Sequence, residues 1–224
     1  MNALKFLLPR GRAPRTILSG LLAGIRLQLD LRSEMKIYLG LYERETYAAI
    51  RRLLAGCRSA VDLGAAKGDL TIHCLRQPGM TRVVAVEPLD REREQLAANL
   101  ALNGLAGDPR LVLHPGFAGH GPAPLWRTLD DLATGLPAPV FLKVDIDGPE
   151  AEVLVGGRGL LRDRDCRLLV ETHSAQAERG CRELLAELGY TVAIINPAWW
   201  RIIIRERRPI PHNRWLAAWR TSLS

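Results

Sequence analysis

The feature that most constrains this chain is a regular alternation of short apolar runs with amphipathic stretches between residues 60 and 188. Runs at 60–63, 82–87, 110–114, 140–145 and 167–172 are too short for helices and rich enough in Val and Leu to be buried strands. Between them, 69–76, 90–102, 149–155 and 177–188 carry apolar residues at helical spacing. Strand and helix in strict alternation predict stacked βαβ units around a mostly parallel sheet, an α/β, Rossmann-like class. Two further runs, 191–195 and 200–204, are joined only by Asn196, Pro197 and Ala198. That connection is too brief for a crossover helix, so the two runs are expected to form an antiparallel C-terminal hairpin, completing a seven-stranded sheet.

The N-terminal part reads differently. Residues 1–15 are basic and carry Pro9, Gly11 and Pro14, the composition of a loose arm. From residue 24 the apolar side chains Ile25, Leu27, Leu29 and Leu31 alternate with polar ones, and after a polar turn at 32–36 a second apolar run covers 37–41, a pattern that predicts a β-hairpin. Residues 42–55 then show a helical period through Tyr47, Ile50, Leu53 and Leu54 and stop at Gly56. The expected organisation is therefore residues 1–55 as an arm, hairpin and helix packed on the core, and 56–224 as the ligand-binding domain.

With 224 residues, 47% of them hydrophobic, the chain has the material for one large domain rather than two. The cysteines Cys57, Cys74, Cys166 and Cys181 are scattered, without a C-x-x-C pair, and read as reduced and mostly buried. The apolar stretch 17–25 contains Ser19 and Gly20 and falls short of the ~20 residues that a membrane span needs. Pro9 and Arg10 interrupt the first apolar patch before a signal-peptide core of ~7–15 residues could form, so cytoplasmic residence is expected. The formal charge of +7 favours anionic partners or reflects nothing more than arginine-rich composition.

Chemistry concentrates where the first parallel strand hands over to a helix, at Val61-Asp62-Leu63-Gly64-Ala65-Ala66-Lys67-Gly68-Asp69. Small residues at such a turn let the backbone approach a ligand closely. A dinucleotide site would need G-x-G-x-x-G and a helix start free for pyrophosphate, whereas the spacing here is G-x-x-x-G with Asp69 at the helix start. A carboxylate there repels phosphate. It suits S-adenosylmethionine, which has no phosphate and carries an ammonium and a sulfonium. Glu87, at the end of the second strand and 19 residues after Gly68, is spaced to accept hydrogen bonds from two ribose hydroxyls. The cofactor-binding set is thus Asp62, Gly64, Ala65, Ala66, Lys67, Gly68, Glu87 and Pro88.

Taken in order, several segments resemble the FkbM-like family of S-adenosylmethionine-dependent methyltransferases. They are Gly40-Leu41-Tyr42-Glu43, the glycine turn, Val86-Glu87-Pro88, Thr128-Leu129-Asp130-Asp131-Leu132, Leu142-Lys143-Val144-Asp145-Ile146-Asp147-Gly148-Pro149-Glu150 and Val170-Glu171-Thr172-His173. The family's usual K-I-D-V-E-G-x-E is matched at Lys143, Asp145, Gly148 and Glu150, with Asp147 in place of a glutamate. Ala66 stands where the family commonly has asparagine. The resemblance implies the methyltransferase fold and O-methylation of a hydroxyl on a natural product, sugar or lipid.

Asp145 ends the fourth parallel strand and Glu171 the fifth, with His173 two residues on, so these three are expected to line the acceptor side of a cleft at the strand ends. His173 is the candidate general base, because its ordinary pKa lies near neutrality. Asp145 would orient the acceptor or the cofactor's amine. Metal ligation by the same trio is the rival reading, and no metal is assigned. Lys143 reads as a lysine whose stem packs while its amine reaches out, and Asp130 and Asp131 read as a helix cap or an acceptor contact. In the C-terminal run, Trp199, Trp200 and the arginines beyond interleave as on single-stranded nucleic-acid surfaces, or form a final strand and packed tail. An RNA acceptor and a non-catalytic binding protein retaining the fold are the alternatives to a small-molecule or glycan acceptor.

Overall fold

The computed structural model describes residues 9–196 and 212–220. In chain order the elements are β1 (Ala13–Thr16), β2 (Arg26–Leu29), α1 (Leu31–Tyr38), a short 3-10 turn (Arg44–Thr46), α2 (Tyr47–Leu54), β3 (Ser59–Leu63), α3 (Asp69–Leu75), β4 (Arg82–Val86) and α4 (Asp90–Leu102). They continue with β5 (Leu111–His114), β6 (Phe117–Ala118), β7 (Trp126–Arg127), α5 (Leu129–Leu132), β8 (Val140–Val144), α6 (Glu150–Val155), α7 (Arg158–Asp163), β9 (Cys166–Thr172), α8 (Ala175–Glu187), β10 (Thr191–Ile195) and β11 (Arg214–Trp219).

Seven strands form the central sheet in the order β10-β11-β9-β8-β3-β4-β5. All pairs from β9 to β5 are parallel, and β11 runs antiparallel between β9 and β10. The expected α/β class with a mostly parallel seven-stranded sheet holds. The inner strands β3, β8 and β9 are buried along their whole length, which is why they read as continuous apolar runs rather than as alternation. Edge strand β10 alternates exposed and half-buried positions.

From β3 the chain builds outward through β4 and β5, then returns to place β8 on the other side of β3. Sheets of this kind bind ligands at the carboxyl ends of the strands where the order reverses direction, here between β3 and β8. Leu63 lies opposite Val144, so the residues that follow, Gly64 and Asp145, meet at that point.

Three expectations need correction. The hairpin of the N-terminal part is β1 with β2, not residues 24–31 with 37–41. Residues 31–38 are helical because Asp30 caps the helix, accepting from the Arg32 N–H, while the Glu34 carboxylate reaches back to the Asp30 N–H at 3.0 Å. The arm expected over 1–15 is in part a strand, since Ala13–Thr16 pairs with Arg26–Leu29. Residues 1–8 lie outside the described residues. So does the run 200–204 proposed as the last strand, and the antiparallel neighbour of β10 is Arg214–Trp219.

Two apolar clusters fill the faces of the sheet. On one, Ile17, Ile25, Leu27 and Leu29 of the N-terminal part pack with Leu53, Leu96, Leu100, Phe141 and Trp215. On the other, Val61, Leu63, Leu142, Val144, Leu154, Leu161, Leu168 and Leu216 come together. Asp130 and Asp131 serve as caps: Asp131 and Thr128 form a capping box on α5, and Asp130 accepts from the Gly159 and Leu160 N–H groups at the start of α7.

Candidate active site

At the junction of β3 and β8, backbone approaches backbone so closely that a Cβ on Gly64 would lie 1.9 Å from the Asp145 carbonyl oxygen. Gly64 has φ +74°, a region that glycine enters without steric cost. The Gly64 and Ala65 N–H groups both donate to the Val86 carbonyl at 3.0 Å, tying the turn to β4. Ala66 follows in the left-handed region at φ +45°, and its N–H donates to Glu87 Oε2 at 2.8 Å. The other oxygen of Glu87 accepts from the Leu89 N–H at 2.9 Å. Glu87 therefore fixes the glycine turn, and each of its oxygens retains acceptor capacity beyond that single bond. Pro88 is half-buried beside it, its carbonyl accepting from Arg93 at 2.6 Å. Gly68, at φ +81°, closes the turn against Leu96 of α4.

Asp62 is 1% exposed and lies beneath the turn. It accepts from the Thr71 hydroxyl at 2.6 Å and faces the Lys143 ammonium at 3.5 Å. Burial pushes its carboxyl up, against the pull of Lys143 and Thr71. Lys67 pairs with Glu34 of α1 at 2.6 Å. Sequence reasoning missed Asn99, a fully buried amide on the inner face of α4 between Leu96 and Leu100. It donates to the Lys67 carbonyl and accepts from the Gln28 N–H, each at 2.8 Å, so it locks the turn to β2. An amide on an otherwise apolar helix face was the available signal.

The expected role of Lys143 is corrected by its geometry. Its amine does not reach solvent but points into the junction, donating to the Gly64 carbonyl at 2.9 Å and pairing with Asp145 at 3.0 Å. Although burial works against the charged amine, Asp145 and Asp62 hold its pKa above the ordinary lysine value.

At the ends of β8 and β9 the structure brings Asp145, Glu171 and His173 together, with one nitrogen or oxygen atom from each lying within 4.8 Å of the others. Burial opposes ionisation of Asp145, yet Lys143 and a hydrogen bond shared with Glu171 hold it low. Burial and the Asp145 charge push Glu171 up to about 9, so this pair shares a proton across the neutral range, with Glu171 as donor. The His173 Nδ1 lies 2.5 Å from Glu150 Oε1, while its Nε2 faces Asp147 at 3.5 Å and Glu171 at 3.8 Å. Glu43 completes the group from the N-terminal side: burial and the nearby Asp145 push it up to about 7, and its backbone is left-handed at φ +49°. Neither Glu43 nor Glu150 was singled out as a site residue from sequence, because their placement depends on burial and on elements distant in the chain.

Residues 126–192, from β7 to near the start of β10, match the family model described as the methyltransferase FkbM domain. Over these residues the chain is similar to that family. Among solved structures, a methyltransferase FkbM from Methylobacillus flagellatus is similar at 21% identity and a TM-score of 0.56, covering 72% of this chain. The chain spans only 43% of that protein. A putative methyltransferase from Streptococcus mutans, solved in complex with SAH, is similar at 11% identity and a TM-score of 0.55, over 79% of this chain and 98% of that one. An rRNA methylase from Streptococcus thermophilus follows at 12% identity and a TM-score of 0.54, over 80% of this chain and 97% of that one. At these identities the likeness establishes the fold. No functionally curated protein matches the chain in sequence. Among the described residues, no helix is long and apolar enough to cross a membrane.

Proposed function

We propose that the chain is an S-adenosylmethionine-dependent methyltransferase that methylates a hydroxyl on a small-molecule, sugar or lipid acceptor in the cytoplasm. One observation carries the reading. The strand reversal combines a glycine turn packed against the Asp145 carbonyl, with no room for a Cβ at Gly64, and, among the described residues, a surplus of carboxylates over the ammonium of Lys143. Such a site suits a cationic, phosphate-free nucleoside and repels a dinucleotide. Asp62 Oδ1, buried without a hydrogen bond and facing the Lys143 ammonium at 3.5 Å, adds to the negative field under the turn.

When bound, S-adenosylmethionine supplies a methyl group already activated on sulfur, so the protein's part is alignment and proton removal. Glu87, with acceptor capacity to spare, holds the ribose, while Gly64, Ala65 and Ala66 provide the close backbone surface. Asp145 orients from the β8 end. His173 Nε2 takes the hydroxyl proton, and Glu171, as proton donor to Asp145, keeps that carboxylate ionised. The acidic acceptor side repels a phosphate backbone, which favours a neutral hydroxyl acceptor over RNA. Lys143 supplies the charge that a metal ion would bring to Asp145, and the transfer is proposed to be metal-independent. Exhaustive chelation should leave turnover unchanged, and loss restored by a divalent cation would reverse that assignment.

Calorimetry with S-adenosylmethionine and its demethylated product should show binding of both. Replacing Glu87 by Ala should weaken it by roughly ten- to a hundredfold, the worth of charge-assisted hydrogen bonds. Absence of any heat or thermal shift from wild-type protein would end the reading in favour of a scaffold that keeps the fold. A labelled-methyl screen against hydroxylated metabolites, glycans and RNA then identifies the acceptor class.

A further inference from the structure

We propose that Glu150 is the positioning residue of this site: its buried carboxylate fixes the His173 ring with the proton on Nδ1 and leaves the Nε2 lone pair facing the cleft. This rests on the reading of His173 as the proton acceptor. Glu150 opens α6, and its side chain is wholly buried. A single oxygen, Oε1, gathers three donors: the His173 ring nitrogen Nδ1 at 2.5 Å, the His173 backbone N–H at 3.2 Å and the Gly148 N–H at 3.3 Å. One atom thus ties the imidazole, the strand end that carries it and the loop between Asp145 and α6 into a fixed relation.

The tautomer follows from donor and acceptor accounting. An ionised carboxylate only accepts, so the ring nitrogen held against it must donate. Neutral imidazole has one donor and one acceptor, and a proton on Nδ1 leaves Nε2 as the acceptor. The nearest carboxylates to Nε2 are Asp147 at 3.5 Å and Glu171 at 3.8 Å. The Asp147 side chain is 88% exposed, so an arriving acceptor can displace it without disturbing the core.

Among the described residues, the charged groups that face the ring are acidic: Glu150 from α6, Asp145 and Asp147 from the segment after β8, and Glu171 from β9. The bond to Glu150 raises the His173 pKa, burial opposes it, and the charges of Glu150, Asp145 and Asp147 add to the rise. The ring accepts a proton only when neutral. Activity limited by His173 therefore climbs with pH, with its acid limb above the ordinary histidine range.

Nitrogen NMR on full-length protein with labelled histidine tests this without cofactor or acceptor. Above its titration, the wild-type His173 ring should be in the Nδ1–H form. In Glu150→Gln its midpoint should fall by about one to two pH units, since an opposite charge in contact has been removed. The acid limb of kcat/KM should move by the same amount, and plateau turnover should drop about ten- to a hundredfold. An Nε2–H ring in the wild type, or an unmoved midpoint in a folded Glu150→Gln variant, overturns the proposal. The wild-type tautomer decides the matter alone should the variant not fold. Because these spectra need neither S-adenosylmethionine nor a methyl acceptor, failure here leaves the methyltransferase reading standing, and silent calorimetry sinks that reading without touching the tautomer result.

Discussion

Replacing Gly64 by Ala should abolish S-adenosylmethionine binding and lower stability by about 2–6 kcal/mol, the sum of left-handed backbone strain and a forced overlap. The new Cβ would sit 1.9 Å from the Asp145 carbonyl oxygen and 3.0 Å from its carbon. Both partners are main chain at the ends of the buried, paired strands β3 and β8, so relief requires the strand ends to part. Parting them pulls the Gly64 carbonyl away from Lys143 and opens the junction on which the proposed site depends. Gly56→Ala is the matched control. Gly56 has φ +71°, close to the value at Gly64, but nothing lies within 4 Å of the added Cβ, so only about 1–3 kcal/mol of backbone strain applies. For a chain of this size each kcal/mol moves Tm by about 2–4 °C, which makes the difference between the two variants readable by calorimetry. A Gly64→Ala protein that binds the cofactor and melts with the Gly56→Ala control would remove the close approach from the argument.

Strands β3, β4, β8 and β9 were legible because each is buried by local composition. Ser59–Leu63, Val140–Val144 and Cys166–Thr172 are covered on both faces, and each helix between them carries its own apolar stripe or cap. The last strand was not, because its position in the sheet is a long-range property. Arg214–Trp219 inserts between β9 and β10, and nothing in the period of Trp215, Leu216, Ala217 and Ala218 states which strands they join. The isoleucine run at 202–204 was the stronger local signal and drew the expectation to itself. At the other end, Pro14 argued against a strand, yet β1 belongs to a two-stranded sheet in which proline is tolerated at an edge. The helix Leu31–Tyr38 buries Leu31 and Ile37 and bends at Glu34, and Leu31 also continued the alternation of Leu27 and Leu29, although Asp30 and Glu34 offered a cap signature.

Site residues divide in the same way. Gly64, Gly68, Glu87, Asp145, Glu171 and His173 stand where one strand becomes a loop or helix, and strand ends can be located from sequence. What each side chain touches could not be. Asp62 and Lys67 share the glycine turn's sequence, but one goes under the turn to Thr71 and the other sideways to Glu34, because α3 and α1 present partners there. Glu150 was visible as a motif residue, and only the packing of α6 against β9 and α8 shows that it meets His173.

Replacing Lys143 by Met should destabilise the protein by about 3–5 kcal/mol at neutral pH, the cost of leaving buried charge without its partner. Methionine fills the space of the lysine stem, so the loss isolates the ammonium. That ammonium pairs with Asp145 at 3.0 Å, faces Asp62 at 3.5 Å and donates to the Gly64 carbonyl at 2.9 Å. The wild-type contribution has a definite sign. A lysine whose folded pKa is raised stabilises fully below its unfolded pKa and loses that contribution only as pH rises through the folded value, so it is intact throughout the neutral range. In the variant the deficit must therefore follow the carboxyls. Burial already raises Asp62 above its unfolded value, and losing Lys143 raises it further. A carboxyl shifted upward destabilises most above its folded pKa and ceases to do so once protonated in both states. Denaturant unfolding of wild type and Lys143→Met should thus converge as pH is lowered from neutral towards the unfolded carboxylate range, with the gap narrowing as Asp62 and Asp145 take up protons. A gap that stays constant over that span would mean that the lysine acts through the packing of its stem, and the electrostatic account of the junction would fall with it.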